Sequence, residues 1–176
     1  MIEIRQADKS NFRPDSLDSF DRTQNVTYVY RPADGGGLKL VYQPFTETWS
    51  PERRREKAAE ILSGKYITLC AFDGEKAAGA ILLNPVLNSG RMIAESFHVS
   101  REYRRQGIGR MLTEAAKAEA LRRGAHALYF SACSAKETID FYTAMGCRPS
   151  AEPIASYAEE EPCDIQMELA LRQDAR

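Results

Sequence analysis

Apolar residues recur along the chain with two different spacings, and the change from one to the other predicts where strands give way to helices. Residues 65–71 and 76–83 are apolar runs around Asp73-Gly74, a pair typical of a tight hairpin turn. The pattern as a whole predicts a mixed α/β fold. The predicted strands are residues 2–4, 26–30, 38–45, 65–71, 76–83, 92–99, 125–131, 147–154 and 164–171, and the predicted helices are residues 51–64, 108–124 and 134–145.

Capping residues support two of these helices. Ser50 followed by Pro51 is typical of a helix start, because serine caps free amides and proline fits the first helical turn. Ser134, with Glu137 three residues later, has the pattern of a capping box. In the N-terminal part a glycine-rich turn at residues 34–37 predicts a hairpin, whereas residues 11–20 are either helical or irregular.

A strand end, a basic loop with two glycines and a helix follow one another in the middle of the chain. Free backbone amides and the positive end of the helix dipole favour an anion at such a place. Gly107 and Gly109 let a ligand approach the main chain, and nearby arginines add positive charge. The third glycine of a dinucleotide fingerprint and the Gly-Lys-Ser/Thr of a Walker loop are both absent. Arg104-x-x-Gly107-x-Gly109 therefore predicts a phosphate-binding loop, with an ordinary basic helix start as the alternative.

A carboxylate lies on the strand that leads into this loop. In a regular strand Glu95 shares one face with Ile93, Phe97 and Val99. Because an unpaired carboxylate among apolar side chains is costly, we interpret Glu95 as a candidate base rather than an exposed edge residue.

Composition limits the function further. A chain of 176 residues, 43% of them hydrophobic, predicts one domain with a single core. The net charge of −1 argues against nucleic-acid binding, which needs a broadly basic face. The sequence shows neither an apolar signal core at its start nor an apolar run of membrane-spanning length. We therefore expect a cytoplasmic protein that does not bind membranes.

No metal site is predicted. The four cysteines are scattered without a C-x-x-C pair, and the two histidines stand far apart in the sequence. His126 falls in an apolar strand, which favours a structural role. Cys133 at the end of the same strand is expected to be a buried, reduced thiol rather than a nucleophile.

Two motifs together resemble the GNAT superfamily of N-acetyltransferases. The loop just described is similar to the family's acetyl-CoA pyrophosphate loop, Q/R-x-x-G-x-G/A, and residues 139–147 are similar to its A-x-x-F-Y-x-x-x-G-F segment. The likeness covers about residues 65–171. Ala135 replaces an asparagine that contacts the cofactor in many members, and Thr138 replaces a common alanine. A contact to CoA from the side chains at these two positions is therefore not expected.

The resemblance implies a GNAT fold, which is a twisted, mostly antiparallel sheet with helices on both faces, splayed around Val99 and Phe130. It implies that main-chain groups of the preceding strand bind the pantetheine arm of acetyl-CoA and that the amides of residues 105–110 bind the pyrophosphate. Tyr142 matches the family tyrosine that protonates the leaving sulfur. The predicted catalytic residues are Tyr142 and Glu95, and the predicted cofactor-binding residues are Phe97, His98, Val99, Arg104, Arg105, Gln106, Gly107, Ile108, Gly109 and Arg110.

The activity implied by the resemblance is direct transfer of an acetyl group from acetyl-CoA to a primary amine of a small molecule, without a metal. The N-terminal hairpin and Glu95 are also similar to streptothricin acetyltransferases. A protein N-terminal or lysine acetyltransferase, a transferase of longer acyl groups and a non-catalytic CoA-binding regulator are the alternatives. We predict a single acetyltransferase domain over residues 1–176, with a variable part at residues 1–64 and a cofactor-binding core at residues 65–171, acting as a monomer or a homodimer.

Overall fold

The computed structural model describes residues 1–171, which form a seven-stranded main sheet, a separate two-stranded sheet and four α-helices. The strands are β1 (Ile2–Gln6), β2 (Gln24–Pro32), β3 (Leu38–Glu47), β4 (Ile67–Asp73), β5 (Lys76–Leu83), β6 (Arg91–Val99), β7 (Ala127–Ala132), β8 (Arg148–Pro149) and β9 (Ile165–Ala170). The helices are α1 (Pro51–Leu62), α2 (Ile108–Arg122), α3 (Lys136–Ala144) and α4 (Ala155–Glu160). A 3₁₀ turn, Arg101–Tyr103, leads from β6 towards α2.

The main sheet opens between two of its central strands. Its order is β1-β4-β5-β6-β7-β9-β8, and every neighbouring pair is antiparallel except β6 and β7. These two run parallel and pair only between residues 91–94 and residues 127–130. Within the described chain, residues 96–99 of β6 then pair with β5 alone. The predicted splayed, mostly antiparallel sheet is confirmed, and we call the opening between β6 and β7 the gap.

Helices cover both faces of this sheet. Leu112 and Ala116 of α2 pack with Ile81 and Met92 in the core on one face. On the other face α1 contributes Ala58 and Ile61 to a second core, which includes residues such as Cys70 and Leu82. Neighbouring positions of β5 thus enter different cores, as the alternation of side chains along a strand requires.

The N-terminal elements follow their sequence signals. Ser50 Oγ accepts a hydrogen bond from the amide of Arg53 at 3.1 Å, so this serine caps α1 as predicted. β2 and β3 form the predicted hairpin, in which Gly36 and Gly37 adopt φ angles of 93° and 71°. Residues 11–20 are a series of turns, which is the irregular alternative.

The predicted capping box of α3 is wrong. This helix begins at Lys136, its N-cap is Ala135, and no side chain of residues 1–171 caps it. Ser134 is engaged with the hairpin instead, because its Oγ accepts from Arg31 Nη1 at 2.6 Å and its carbonyl accepts from the amide of Tyr30 at 2.8 Å. Tertiary contacts therefore replace the local cap.

The predicted strand at residues 147–154 is mostly absent. Only β8 pairs with β9, and the chain then forms α4 before β9 begins. Pro149 and Pro153 have no amide hydrogen to donate to a ladder, which explains the early end of the strand. We call residues 150–164 the cover, because they cross over the sheet between β8 and β9.

Candidate active site

The loop before α2 presents six consecutive amides that have no partner among the described residues. Gly107 is the N-cap of α2 with a φ angle of 82°, and Arg105 also has a positive φ, 63°. The first amide of the helix to find a main-chain acceptor is that of Met111, which donates to the Gly107 carbonyl at 3.0 Å. Within residues 1–171 the amides of residues 105–110 donate to no acceptor. Successive free amides of this kind form a concave anion site at the positive end of a helix.

The side chains of this loop have different tasks. The Arg104 guanidinium donates to the carbonyls of Val99, Thr23 and Arg22 at 3.0, 2.7 and 3.2 Å. Arg104 therefore connects the loop to the end of β6 and to the segment before β2. Its positive charge lies near the loop amides, but its guanidinium donors are already used by the three carbonyls. Arg105, Gln106 and Arg110 are exposed, whereas Ile108 is buried in the core under α2.

Gly109 has a packing role as well as a place in the predicted phosphate site. A Cβ at this position would lie 2.9 Å from Cε2 of Phe141, so only glycine lets the ring of α3 approach α2 this closely. At Gly107 a Cβ would meet nothing within 4 Å, but the positive φ disfavours any other residue. The two glycines of the motif are thus explained by different constraints.

Main-chain groups of β6 face the gap where the predicted pantetheine arm would lie. The amide of Ser100 donates to the carbonyl of Ala78 in β5, at 2.8 Å. Because successive peptide groups of a strand alternate in direction, the amides and carbonyls of Phe97 and Val99 lie on the gap side. The Val99 carbonyl accepts the bond from Arg104 already described.

His98 lies differently from its two neighbours. It pairs with Ala80 of β5, and its ring meets the ring of Trp49 edge-on with 4.8 Å between centroids, on the face that α1 covers. Burial, and then the positive charge of Arg22, lowers the pKa of His98 well below its usual value, so the ring is neutral at pH 7. The predicted contact between His98 and the cofactor stays a prediction, and the ring of His98 lies against Trp49 on the face that α1 covers.

Tyr142 lies at the gap between the two splayed strands. Its ring centroid is 4.7 Å from that of Phe130 on β7 and 6.3 Å from that of Phe97 on β6. The residue is 8% exposed, and burial raises the pKa of its phenol far above the usual value. Its hydroxyl makes no hydrogen bond within the described chain. Tyr142 is therefore a protonated phenol with an unused donor at neutral pH.

Glu95 lies where the gap opens, but not on the predicted face. Leu82 pairs with Ser96 and Leu83 pairs with Ala94, so Glu95 is an extra residue in a β-bulge. The prediction that Glu95 shares a face with Phe97 and Val99 assumed a regular strand and is wrong. Its carboxylate instead accepts hydrogen bonds from Tyr157 Oη at 2.7 Å and from Asn84 Nδ2 at 2.9 Å, both on Oε1.

Comparison with known proteins decides the family. A sequence profile of the acetyltransferase (GNAT) family matches residues 37–147, which include the phosphate-type loop, Glu95 and the α3 segment with Tyr142. The chain belongs to the GNAT family of acetyltransferases. As a GNAT enzyme it uses acetyl-CoA as acetyl donor. No curated protein sequence matches the chain.

Solved structures share this GNAT fold over nearly their whole length. Nourseothricin acetyltransferase has a TM-score of 0.73 at 21% identity, with 97% of this chain and 99% of that chain covered. A protein assigned as a streptothricin acetyltransferase of Bacillus anthracis strain Ames, in complex with acetyl coenzyme A, has a TM-score of 0.72 at 16% identity, with 99% of both chains covered. The ribosomal-protein-S18-alanine N-acetyltransferase of Escherichia coli has a TM-score of 0.62 at 18% identity, with 100% of this chain and 97% of that chain covered.

In addition to Glu95, this GNAT domain has polar side chains that the sequence analysis did not single out. Tyr157 and Asn84 bind the Glu95 carboxylate, and Asp164 accepts from the Ser131 hydroxyl at 3.1 Å. Burial raises the pKa of Asp164, which is half-buried at the end of the cover. Asn84 follows the end of β5, Tyr157 lies in the short helix α4 and Asp164 lies just before β9, so no periodic pattern marks them. The acidic residues 159–161 are exposed.

The described residues also bear on metals and membranes. Among residues 1–171 no group of three or more His, Cys, Asp or Glu side chains is arranged to hold a metal ion. In the same part of the chain, no helix combines the length and the apolar character needed to cross a membrane. Cys133 is half-buried, and burial raises the pKa of its thiol, so it is not an activated nucleophile.

Proposed function

We propose that this GNAT enzyme transfers the acetyl group of acetyl-CoA to a primary amine of a small, cationic molecule by direct attack. The observation that carries the proposal is the arrangement at the gap. The Tyr142 hydroxyl, which has no partner among residues 1–171, lies between β6 and β7, and the Glu95 carboxylate lies where these strands begin to diverge. One group has a proton to give, and the other is a proton acceptor.

The proposed cofactor contacts are mostly with main-chain groups. The amides of residues 105–110 bind the pyrophosphate, and the main chain of Phe97 and Val99 pairs with the pantetheine arm like an added strand. The unpaired amides and the one-sided pairing of β6 support both contacts. Arg104 contributes by fixing the loop, while Arg105 and Arg110 supply exposed positive charge.

In the proposed reaction both substrates are bound together. Glu95 accepts a proton from the ammonium group of the acceptor, directly or through a water. The amine nitrogen then attacks the thioester carbonyl, whose oxygen is polarised by a strand amide near Phe97. As the carbon–sulfur bond breaks, the Tyr142 hydroxyl gives its proton to the sulfur, and the nitrogen loses its second proton to water, from which the Tyr142 oxygen is protonated again. Glu95 releases the first proton to solvent, and the products are the acetamide and CoA.

A small acceptor is supported by how the acceptor side is enclosed. The hairpin bridges to the start of α3 through Val29 and Ala135, and the cover is bonded to the sheet by Arg91 and Tyr129. An extended peptide needs an open groove, whereas these connections favour a closed pocket. The similar folds of the nourseothricin and streptothricin acetyltransferases agree with a small, amine-bearing acceptor.

A screen for CoA release tests this proposal. The purified protein and acetyl-CoA are incubated with simple amines, streptothricin-class and aminoglycoside antibiotics, and peptides with free N termini or lysines. We expect release with at least one small cationic amine and not with the peptides. Release with peptides alone would replace the small-molecule proposal by a protein acetyltransferase, and release with neither group would contradict the proposed acceptor class.

A further inference from the structure

The two oxygens of the Glu95 carboxylate have unequal surroundings. Oε1 accepts two hydrogen bonds, from the Tyr157 hydroxyl at 2.7 Å and from Asn84 Nδ2 at 2.9 Å. Oε2 has no hydrogen-bond or salt-bridge partner among residues 1–171. Two donors on one oxygen hold the carboxylate in a fixed orientation and leave the second oxygen as its open acceptor.

Asn84 is itself held in place. Its main-chain amide donates to the Ile93 carbonyl at 2.8 Å, and its Oδ1 accepts from the amide of Val86 at 3.0 Å. Because Oδ1 is used by this turn, the side-chain nitrogen is the atom that faces Glu95. The donor from the end of β5 is therefore fixed in both position and chemistry.

Tyr157 is delivered by the cover. The cover is bonded to the sheet at two further points, since Arg91 Nη1 donates to the Glu152 carbonyl at 2.8 Å and the amide of Ile154 donates to Tyr129 Oη at 2.9 Å. The Tyr157 ring also packs beside the Tyr129 ring, with 6.0 Å between centroids. The hydroxyl of Tyr157 thus reaches Glu95 from a segment that is anchored next to it.

We propose that Tyr157 is a positioning residue for the acetyl transfer, which together with Asn84 holds Glu95 so that Oε2 alone takes the proton of the acceptor. The proposal rests on the proposed base role of Glu95. In this step an N–H bond of the ammonium breaks, an O–H bond forms on Oε2, and the nitrogen keeps the electron pair with which it attacks the thioester. Because the cover carries Tyr157, an ordered cover and a correctly held base occur together.

Removing the Tyr157 hydroxyl should shift the acid limb of the pH profile in one direction. A donor to a carboxylate stabilises its charged form, so without the donor the carboxylate is protonated more easily and the base is lost at a higher pH. Burial and the hydrogen bond to Glu95 raise the pKa of Tyr157, so its hydroxyl stays a donor over the whole range of such a test. The other titratable groups that interact electrostatically with Glu95 or Tyr157 are Lys65, Tyr66 and Glu160, and all three are unchanged in the variant.

The test compares the pH dependence of kcat/KM for the wild type, Tyr157→Phe, Asn84→Ala and Glu95→Gln, with an acceptor found by the screen. We expect Tyr157→Phe to move the acid limb about one pH unit upward, a loss of about tenfold at low pH. The plateau rate should fall only a few-fold, because Asn84 still holds Oε1 of Glu95. Asn84→Ala should move the same limb in the same direction. Tyr103→Phe is the matched control, because it removes a tyrosine hydroxyl that donates to Asp73 at 3.2 Å and does not contact Glu95. This variant should leave the acid limb unchanged.

The outcomes distinguish the positioning role of Tyr157 from the base role of Glu95. An acid limb lost in Glu95→Gln but unmoved in Tyr157→Phe would keep Glu95 as base and overturn the positioning role. An acid limb unchanged in Glu95→Gln would overturn both. A uniform loss of rate in Tyr157→Phe at every pH, with a lowered melting temperature, would mean that the tyrosine only packs the cover, and would also overturn the proposal.

Discussion

The two sides of the gap are built in different ways. The side proposed for the cofactor consists mainly of backbone amides from six consecutive residues, 105–110, ahead of one helix. The side proposed for the acceptor consists of side chains such as Asn84, Glu95 and Tyr157, which come from separate segments. A site made from consecutive amides needs only a loop of the right shape, whereas a site made from distant side chains depends on the whole fold. Acceptor choice can therefore change while the cofactor side stays the same.

The largest effect is expected at Tyr142, where the two sides meet. Tyr142→Phe should lower kcat by about 10²-fold or more with little change in the affinity for CoA, because general acid catalysis typically contributes 10² to 10⁴. Burial holds the pKa of this phenol far above its usual value, so the wild-type rate should show no loss from its deprotonation up to about pH 10. Steady-state kinetics and CoA titration measure both quantities.

Tyr30→Phe is the control for this variant. The Tyr30 hydroxyl donates to Asp140 of α3 at 2.8 Å, so its loss loosens the helix that carries Tyr142 without touching the gap. We expect a rate within a few-fold of the wild type. A nearly wild-type rate in Tyr142→Phe would reduce Tyr142 to a packing residue, and an equal loss in Tyr30→Phe would attribute the effect to the helix.

The next largest effect is expected on the acceptor side. Glu95→Gln keeps the shape of the side chain but removes its charge and basicity, so the rate at neutral pH should fall by about 10²-fold. Partial recovery is expected at high pH, because the fraction of free amine in the acceptor grows. The measurement is a pH profile of kcat/KM. Glu159→Gln and Glu161→Gln serve as controls, since both residues are exposed and should leave the profile unchanged.

The smallest of these effects is expected on the cofactor side. Gly107→Ala and Gly124→Ala form a matched pair, because these glycines flank α2 with φ angles of 82° and 78° and a Cβ at either would meet nothing within 4 Å. Each variant should lose about 1–2 kcal/mol of folding stability from the same backbone strain. Only Gly107→Ala should also lose affinity for CoA, by about tenfold. Equal CoA affinity in the two variants would contradict a phosphate site in the loop.

Most of the fold was readable from the sequence because its signals are local. Apolar spacing, the Ser50 cap and the Asp73-Gly74 turn each act within a few residues, and the corresponding elements are confirmed. The predicted cap of α3 is wrong because Ser134 bonds to Arg31, more than a hundred positions earlier in the chain. The cover was missed because two prolines end β8 and leave a short helix that no periodic pattern marks.

The candidate site likewise has parts that local sequence signals predict and parts that they do not. The loop, the gap and Tyr142 follow from two contiguous motifs, and the residues of these motifs lie together in the fold. The surroundings of Glu95 could not be predicted from the sequence, because a β-bulge shifts the register of β6 and places the Glu95 side chain on a different face from the one expected. Nothing in the residues next to Asn84 or Tyr157 indicates that both bind one carboxylate. The opposite holds for Arg104, whose motif suggested a direct ligand while its guanidinium holds three carbonyls.

The most direct test of the central claim is an amide NMR titration of ¹⁵N-labelled protein with CoA. If the cofactor is held by main-chain groups on one side of the gap, the largest shifts should fall on residues 105–110 and on Phe97 and Val99. The amides of Asn84 and Tyr157 should move little until an acceptor amine is added. Large shifts in the cover on addition of CoA, with residues 105–110 unmoved, would contradict the division of the site into a cofactor side and an acceptor side.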